Sequence, residues 1–340
     1  MDESAEYEPL FAVNTYDRNG SPNVSGKPAA INIEVYAKSE NHTIVKEQGD
    51  DFAQIGQDVN YTIKATFPMS ENTAGQRLEN FIITDTPTGV AIDEESVKVT
   101  LGETSNDITN DIHVSVDAET GVLTVNFANI LSGGHDGKDI VITYTATVTD
   151  TAYNNKVTAA STTTNYKLDE TSGKNGSIQI TKVDAEDKNE VKTPLAGAEF
   201  QVYDLGSGEW DDENPGTPMN FVYDAEEQAY RPALKTDEKD SITDTIVATN
   251  GVVRVIGLDE GNYHFDETRA PSGYAINDLG ETYTVANEEG KIDLSEYFED
   301  TKMAALPETG GMGTTLFTIA GCVIMISAAG LFFATRKKAN

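Results

Sequence analysis

The sequence predicts an all-β protein, two tandem Ig-like, Greek-key β-sandwich domains, followed by a C-terminal transmembrane helix. Three observations carry this expectation. Short runs of alternating apolar and polar residues recur between turn signals such as Asn72-Thr73-Ala74-Gly75 and Ser132-Gly133-Gly134. No helix of useful length is evident from Ser39 to Tyr166. Near the end, Thr314 to Thr335 forms an uncharged apolar run of roughly 20 residues, enough as a helix to cross a hydrocarbon core, with the basic tail Arg336-Lys337-Lys338 behind it. A chain of 340 residues leaves room for two domains of ordinary size before that run.

Charge narrows the function classes. The formal net charge is -33, from 57 acidic and 24 basic residues. Phosphate backbones need a basic face, so nucleic acid is excluded as an expected partner, whereas dispersed acidity suits a soluble extracellular polymer or stalk. The sole cysteine, Cys322, lies in the apolar run, so a secreted body has no disulfide and needs some other reinforcement. Met1 to Leu10 has neither a basic n-region nor an apolar h-region, and the chain therefore reads as a fragment, a mature form or a mis-assigned start of a longer secreted protein.

In chain order, Ile31, Ile33, Val35 and Ala37 alternate with Asn32, Glu34, Tyr36 and Lys38, a strand that turns Lys38 to solvent. From Ser39 onward, Val59, Tyr61, Ile63, Ala65 and Phe67 mark one strand, Leu123, Val125 and Phe127 another, and Ile140, Ile142 and Tyr144 a third. Three polar residues fall on inward positions of this pattern. Asp85 shares parity with Phe81 and Ile83, Asn155 with Tyr153, Val157 and Ala159, and Lys46 with Ile44. Asn154, the rival amide, has outward parity with Lys156. Burial lowers a lysine's pKa and raises a carboxyl's, making one a nucleophile and the other an acid. Lys46 attacking the amide of Asn155, with Asp85 assisting, would release ammonia and leave an isopeptide cross-link; a buried Lys-Asp pair beside a bystander amide is the alternative.

Ser161 to Gly176, rich in Ser, Thr and Gly, reads as a linker. Beyond it, Lys182 shares a face with Ile178 and Ile180, Glu267 with Tyr263 and Phe265, and Asp300 with Phe298. The same chemistry follows, with Lys182 attacking the carboxyl carbon of Asp300 with loss of water and Glu267 shuttling the proton; a triad held by charge is again the alternative. The acidic stretch around Trp210-Asp211-Asp212-Glu213-Asn214-Pro215-Gly216 reads as a solvated surface loop rather than a calcium site. His42, His113, His135 and His264 read as surface residues, and no phosphate loop, zinc spacing or nucleophile elbow occurs. No cofactor, no metal site and no turnover enzyme activity is expected.

Leu306-Pro307-Glu308-Thr309-Gly310, the apolar run and the basic tail together resemble the cell-wall sorting signal of Gram-positive surface proteins. The resemblance implies that a sortase attacks the carbonyl of Thr309 and releases everything from Gly310 on, so that the membrane holds the chain only transiently and the protein ends on peptidoglycan. Ile31 to Lys38 resembles the pilin motif of sortase-assembled pili, with Ala37 where the family has proline, which implies that Lys38 joins one subunit to the next subunit's threonine. Lys38 to Tyr166 resembles the isopeptide-forming fimbrial domain, through its lysine, its Thr84-Asp85-Thr86 context and its late asparagine. Ile180-Thr181-Lys182-Val183-Asp184, Pro194 to Phe200 and Glu267-Thr268-Arg269-Ala270-Pro271-Ser272-Gly273-Tyr274 resemble the Cna-B-type, prealbumin-like domain, with aspartate at 300 where many members have asparagine.

The expected organisation is therefore an N-terminal remnant at 1–38, a fimbrial sandwich at 39–168, a Cna-B-type sandwich at 175–303 and a sorting signal at 304–340. The expected function is a structural subunit of a sortase-polymerised, cell-wall-anchored pilus on the surface of a Gram-positive bacterium, whose partners are sortase, neighbouring pilins and peptidoglycan. The alternative is a wall-anchored adhesin or minor pilus component that binds a host ligand.

Overall fold

Strand parity builds the sheets. In the computed structural model, which describes residues 42–72, 74–303 and 313–336, Asp58–Thr66 buries Val59, Tyr61, Ile63 and Ala65 and turns the residues between them outward. This strand pairs antiparallel with Val45–Gln48 on one side and Asp139–Val148 on the other, and the sheet continues through Lys98–Leu101 to Asn106–Asp107. The facing sheet runs Asp169–Lys174, Ala152–Ser161, Phe81–Thr88, Leu123–Asn126, His113–Val116. Their inner faces share one apolar core, including Phe67, Phe81, Phe127, Ile142 and Val157. Each such side chain contributes roughly 1.5–3 kcal/mol by leaving water.

Residues 176–300 build a second sandwich. Its larger sheet runs Ile242–Thr243, Phe221–Asp224, Ala229–Pro232, Val252–Leu258, Gly176–Asp184, Asp293–Asp300, and its smaller one Ile246–Ala248, Ala198–Gly206, Gly261–Arg269, Glu281–Val285. Gly176–Asp184 and the final strand Asp293–Asp300 are parallel neighbours, with Lys182 opposite Phe298 and Asp184 opposite Asp300. Because side chains alternate, Lys182, Phe298 and Asp300 share the inner face.

Part of the stretch expected to be a linker is ordered sheet. Asp169–Lys174 is an edge strand on Ala152–Ser161, and Asn175 leads directly into the next strand at Gly176. Between the sandwiches, the loop before Asp58 reaches across: Phe52 is buried in the second core, and Ile55 N–H donates to the Gly257 carbonyl at 2.9 Å. Gly257 has φ +74°, and a Cβ there would lie 2.4 Å from Ile55 Cδ1, so both backbone and space require glycine. Asn175 Nδ2 ties the same loop down by donating to the Ala53 and Asp150 carbonyls at 3.3 and 3.1 Å.

The C-terminal run forms a helix, Gly313–Arg336, but the spanning expectation is not met by the described residues. Among them no helix is long and apolar enough to cross a membrane.

Phe52→Ala is expected to destabilise the second sandwich by about 3–5 kcal/mol, the cost of emptying a filled aromatic site. Guanidinium unfolding followed by hydrogen exchange checks this: protection should fall in 176–300 although the substitution lies in the first sandwich's chain segment.

Candidate functional site

In the first sandwich the two sheets bring polar groups together from opposite sides. Val45–Gln48 and Asp139–Val148 supply Lys46 and Tyr144, while Phe81–Thr88 and Ala152–Ser161 supply Asp85 and Asn155. All four are buried, and the Lys46 side chain is 0% exposed. Lys46 Nζ donates to Asp85 Oδ1 at 2.6 Å and to the Tyr144 hydroxyl at 2.5 Å. The hydroxyl itself donates to Asp85 Oδ2 and accepts from Asn155 Nδ2 at 2.8 Å. Asn155 Oδ1 is buried without a hydrogen-bond partner among the described residues.

Aromatic rings close this site to water. Tyr61 and Tyr144 stack with centroids 5.3 Å apart, and Lys46 Nζ sits 5.0 and 5.1 Å from the two ring centres. Burial pushes the Lys46 amine below its ordinary pKa even though the Asp85 carboxylate pulls it up. The same burial, with Asp85 nearby, raises the Tyr61 phenol to about 12 and pushes Tyr144 well above the ordinary phenol range. A neutral amine is thus more accessible here than in water, beside a phenol that stays protonated.

The inward expectations for Lys46, Asp85 and Asn155 hold in placement, and Asn154 lies outward, its amide donating to Glu170. The geometry departs in one respect. Asp85 meets the lysine and the phenol, and among the described residues the Asn155 side-chain amide donates to the Tyr144 hydroxyl. Sequence reasoning read Tyr144 as one more apolar strand residue. The available signal was its inward parity with Ile140 and Ile142, because a buried phenol must find a polar partner.

The second site is assembled differently. Lys182 and Asp300 lie on neighbouring parallel strands of one sheet, and Glu267 comes from Gly261–Arg269 of the other. Lys182 Nζ donates to Asp300 Oδ1 and lies 2.8 Å from Glu267 Oε1, with all three side chains 0% exposed. Phe298 and Phe200 cover the amine, with ring centres 4.0 and 5.7 Å from Nζ. Glu267 Oε2 accepts from the Asn277 backbone N–H at 2.9 Å. Burial raises the Glu267 carboxyl against the downward pull of Lys182, a state suited to giving up a proton inside the core. The second arrangement places the amine directly against the Asp300 carboxyl where water is excluded, a condition for amide condensation, whereas in the first the Tyr144 hydroxyl stands between Lys46 and Asn155.

His264 corrects the expectation of a surface histidine. It is buried because Trp210 folds back from its acidic loop and stacks on the ring at 3.8 Å, and its Nδ1 meets Thr282 Oγ1 at 2.9 Å. That cover lowers its pKa to about 4. Among the described residues no group of three or more His, Cys, Asp or Glu could hold a metal ion. Lys38 and the pentapeptide Leu306, Pro307, Glu308, Thr309 and Gly310 lie outside the described residues.

Lys182→Met is expected to leave two buried carboxyls without a cation and cost about 3–5 kcal/mol. Without Lys182 the Glu267 pKa rises further, so the folded form holds a proton that the unfolded form releases. Stability of the variant relative to the parent should therefore fall as pH rises above about 4.5, and guanidinium melts at about pH 5 and about pH 8 check the sign.

Residues 176–297 match the family model of the prealbumin-like fold domain SpaA, and residues 299–340 match that of the LPXTG cell wall anchor motif. The chain is 24% identical over 357 aligned positions to fimbrial subunit type 2 of Actinomyces naeslundii, in an alignment covering 93% of this chain and 65% of that one. It thus spans just under two thirds of that relative's length. Among solved structures, the pilus 2b backbone protein of group B streptococcus superposes with a TM-score of 0.55 at 18% identity, covering 77% of this chain and 99% of that one. The 35 kDa C-terminal fragment of the major pilin GBS80 of Streptococcus agalactiae gives 0.51 at 17% identity, covering 77% and 100%. Both likenesses are of fold.

Proposed function

We propose that this chain, which belongs with the sortase-assembled pilins of Gram-positive bacteria by its prealbumin-like SpaA domain and LPXTG cell wall anchor, is the repeating shaft subunit of a pilus reinforced by two internal amides. The observation that carries the reading is the pair of lysines, Lys46 and Lys182, with side chains 0% exposed and each held against an acid in an apolar interior. Charges are rarely left in such places without a use, since desolvation opposes them by several kcal/mol. The fimbrial sandwich, expected at 39–168, is extended through its edge strand Asp169–Lys174, and the Cna-B-type sandwich is assigned to 175–303.

In the first, the Lys46 Nζ–Asn155 Cγ bond forms, the Cγ–Nδ2 bond breaks and ammonia leaves. In the second, the Lys182 Nζ–Asp300 Cγ bond forms and the carboxyl loses a hydroxyl as water, the proton coming through Glu267. Each amide closes a loop of roughly 110 to 120 residues, worth about 4–5 kcal/mol by analogy with disulfides of that span. Unlike a disulfide it resists reduction, which suits a surface fibre whose secreted body lacks cysteine. At the ends, sortase acts at Thr309, and Lys38 receives the threonine of the next subunit. Peptidoglycan receives the last.

Intact-mass measurement of the purified ectodomain should fall short of the plain sequence by one ammonia and one water. Lys46→Ala should restore the ammonia and Lys182→Ala the water, each without affecting the other; a mass equal to the plain sequence rejects both bonds. In the producing cell, Lys38→Ala should abolish the ladder of high-mass polymers while monomer still reaches the wall. A ladder that persists rejects the shaft role.

The reaction in the first sandwich should also depend on pH. Because burial lowers the Lys46 pKa, the neutral amine is populated at a lower pH than for a free lysine near 10.5. Cross-linking of newly made chain should accelerate with rising pH and level off below that value, as followed by mass against time.

A further inference from the structure

We propose that the Tyr144 hydroxyl is the proton relay of the first cross-link, carrying to the departing Asn155 nitrogen the proton that Lys46 gives up. The assignment rests on the Lys46–Asn155 amide argued above and adds a participant to it. An acid acting on Asn155 must touch its carboxamide, and among the described residues the group hydrogen-bonded to that carboxamide is the Tyr144 hydroxyl rather than Asp85. Its two oxygens are engaged instead by Lys46 Nζ at 2.6 Å and by the Tyr144 hydroxyl. The phenol oxygen is the common neighbour: it receives hydrogen bonds from Lys46 Nζ at 2.5 Å and Asn155 Nδ2 at 2.8 Å. One donor and two acceptor positions are all used, so the hydroxyl can pass a proton in only along this chain.

The balance closes without an outside reagent. Lys46 enters as the neutral amine, its ammonium proton held on Asp85. As Nζ bonds to Asn155 Cγ, Nζ must shed one proton, and as the Cγ–Nδ2 bond breaks, Nδ2 must gain one to leave as ammonia. Tyr144 gives its hydroxyl proton to Nδ2 and takes one back from the amine or from Asp85, ending as it began. Its strong preference for the neutral state means that it delivers a proton only as it receives one, which avoids a free phenolate in an apolar core. The neighbouring Tyr61 is a natural contrast, since it stacks on the same ring but its own hydroxyl is buried without a hydrogen-bond partner among the described residues.

Full chain made by cell-free translation, sampled over time and mapped by peptide mass, tests this. Tyr144→Phe keeps the ring and the stack but removes the hydroxyl. It should slow the loss of ammonia at Lys46–Asn155 by about 100-fold or more, the usual range for a positioned acid–base group. The loss of water at Lys182–Asp300 in the same molecule should proceed at the parent rate, which reports that the chain has folded. Tyr61→Phe should lose ammonia as fast as the parent. Equal rates for Tyr144→Phe and the parent overturn the relay and leave the amide standing. A parent that never loses ammonia overturns the amide and the relay together.

Discussion

Exclusion of water from two sandwich interiors is the constraint on which the rest of this structure depends. A lysine in water is an ammonium and a poor nucleophile; within an apolar shell the charged form loses its hydration, and the amine is pushed toward neutrality. Lys46 shows this directly, because burial outweighs the nearby Asp85 carboxylate in setting its pKa. Were the rings of Tyr61, Tyr144, Phe200 and Phe298 to part and admit water, each site would relax into an ordinary ion pair. The aromatic cover is therefore part of the chemistry, and packing defects that leave the fold intact should still impair the site.

The two sites solve the same problem with different topologies. Lys46 and Asn155 sit on opposite sheets, so an amide between them ties the layers of the first sandwich together across its core. Lys182 and Asp300 sit on adjacent strands, so an amide between them would reinforce a parallel pairing already held by backbone hydrogen bonds, the geometry that ties the first strand of the sandwich to its last. The acid differs as well. Both acids reach their lysine directly, but Glu267 is steadied by the Asn277 backbone, whereas Asp85 is joined to Asn155 through the Tyr144 hydroxyl.

Much of this was legible in residue parity. A period of two assigns a face to every residue of a strand, so Asp85, Asn155, Lys182, Glu267 and Asp300 stood out as polar residues on apolar faces, and the structure buries them all. Lys46 was readable only through Ile44, its strand being four residues long. Parity failed where a face called outward is covered by a distant segment: nothing local announces that Trp210 will fold over His264. It failed also for Asp169–Lys174, where polar side chains suit an edge strand as well as they suit a linker. Tyr144 was placed on the correct face but its hydroxyl was overlooked, because alternation reports which way a side chain points and not what its polar atom meets.

With both proposed amides in place, the path of a pulling force would change. Tension entering near Lys46 would pass through its side chain to Asn155, and tension entering at Lys182 would pass to Asp300, so the long loops between those pairs would carry none of it. The backbone left to stretch is 155–182, and this is the segment held most densely by other means. Asp169–Lys174 is zipped to Ala152–Ser161, Asn175 clamps the Ala53 and Asp150 carbonyls, and the loop carrying Phe52 is plugged into the second core against Gly176. The joint between sandwiches is thus reinforced by packing and hydrogen bonds where covalent reinforcement is missing. Glycine at 176 and 257 follows from the same demand, since a Cβ at either would meet Val285 or Ile55 within 2.4 Å and push the joint apart.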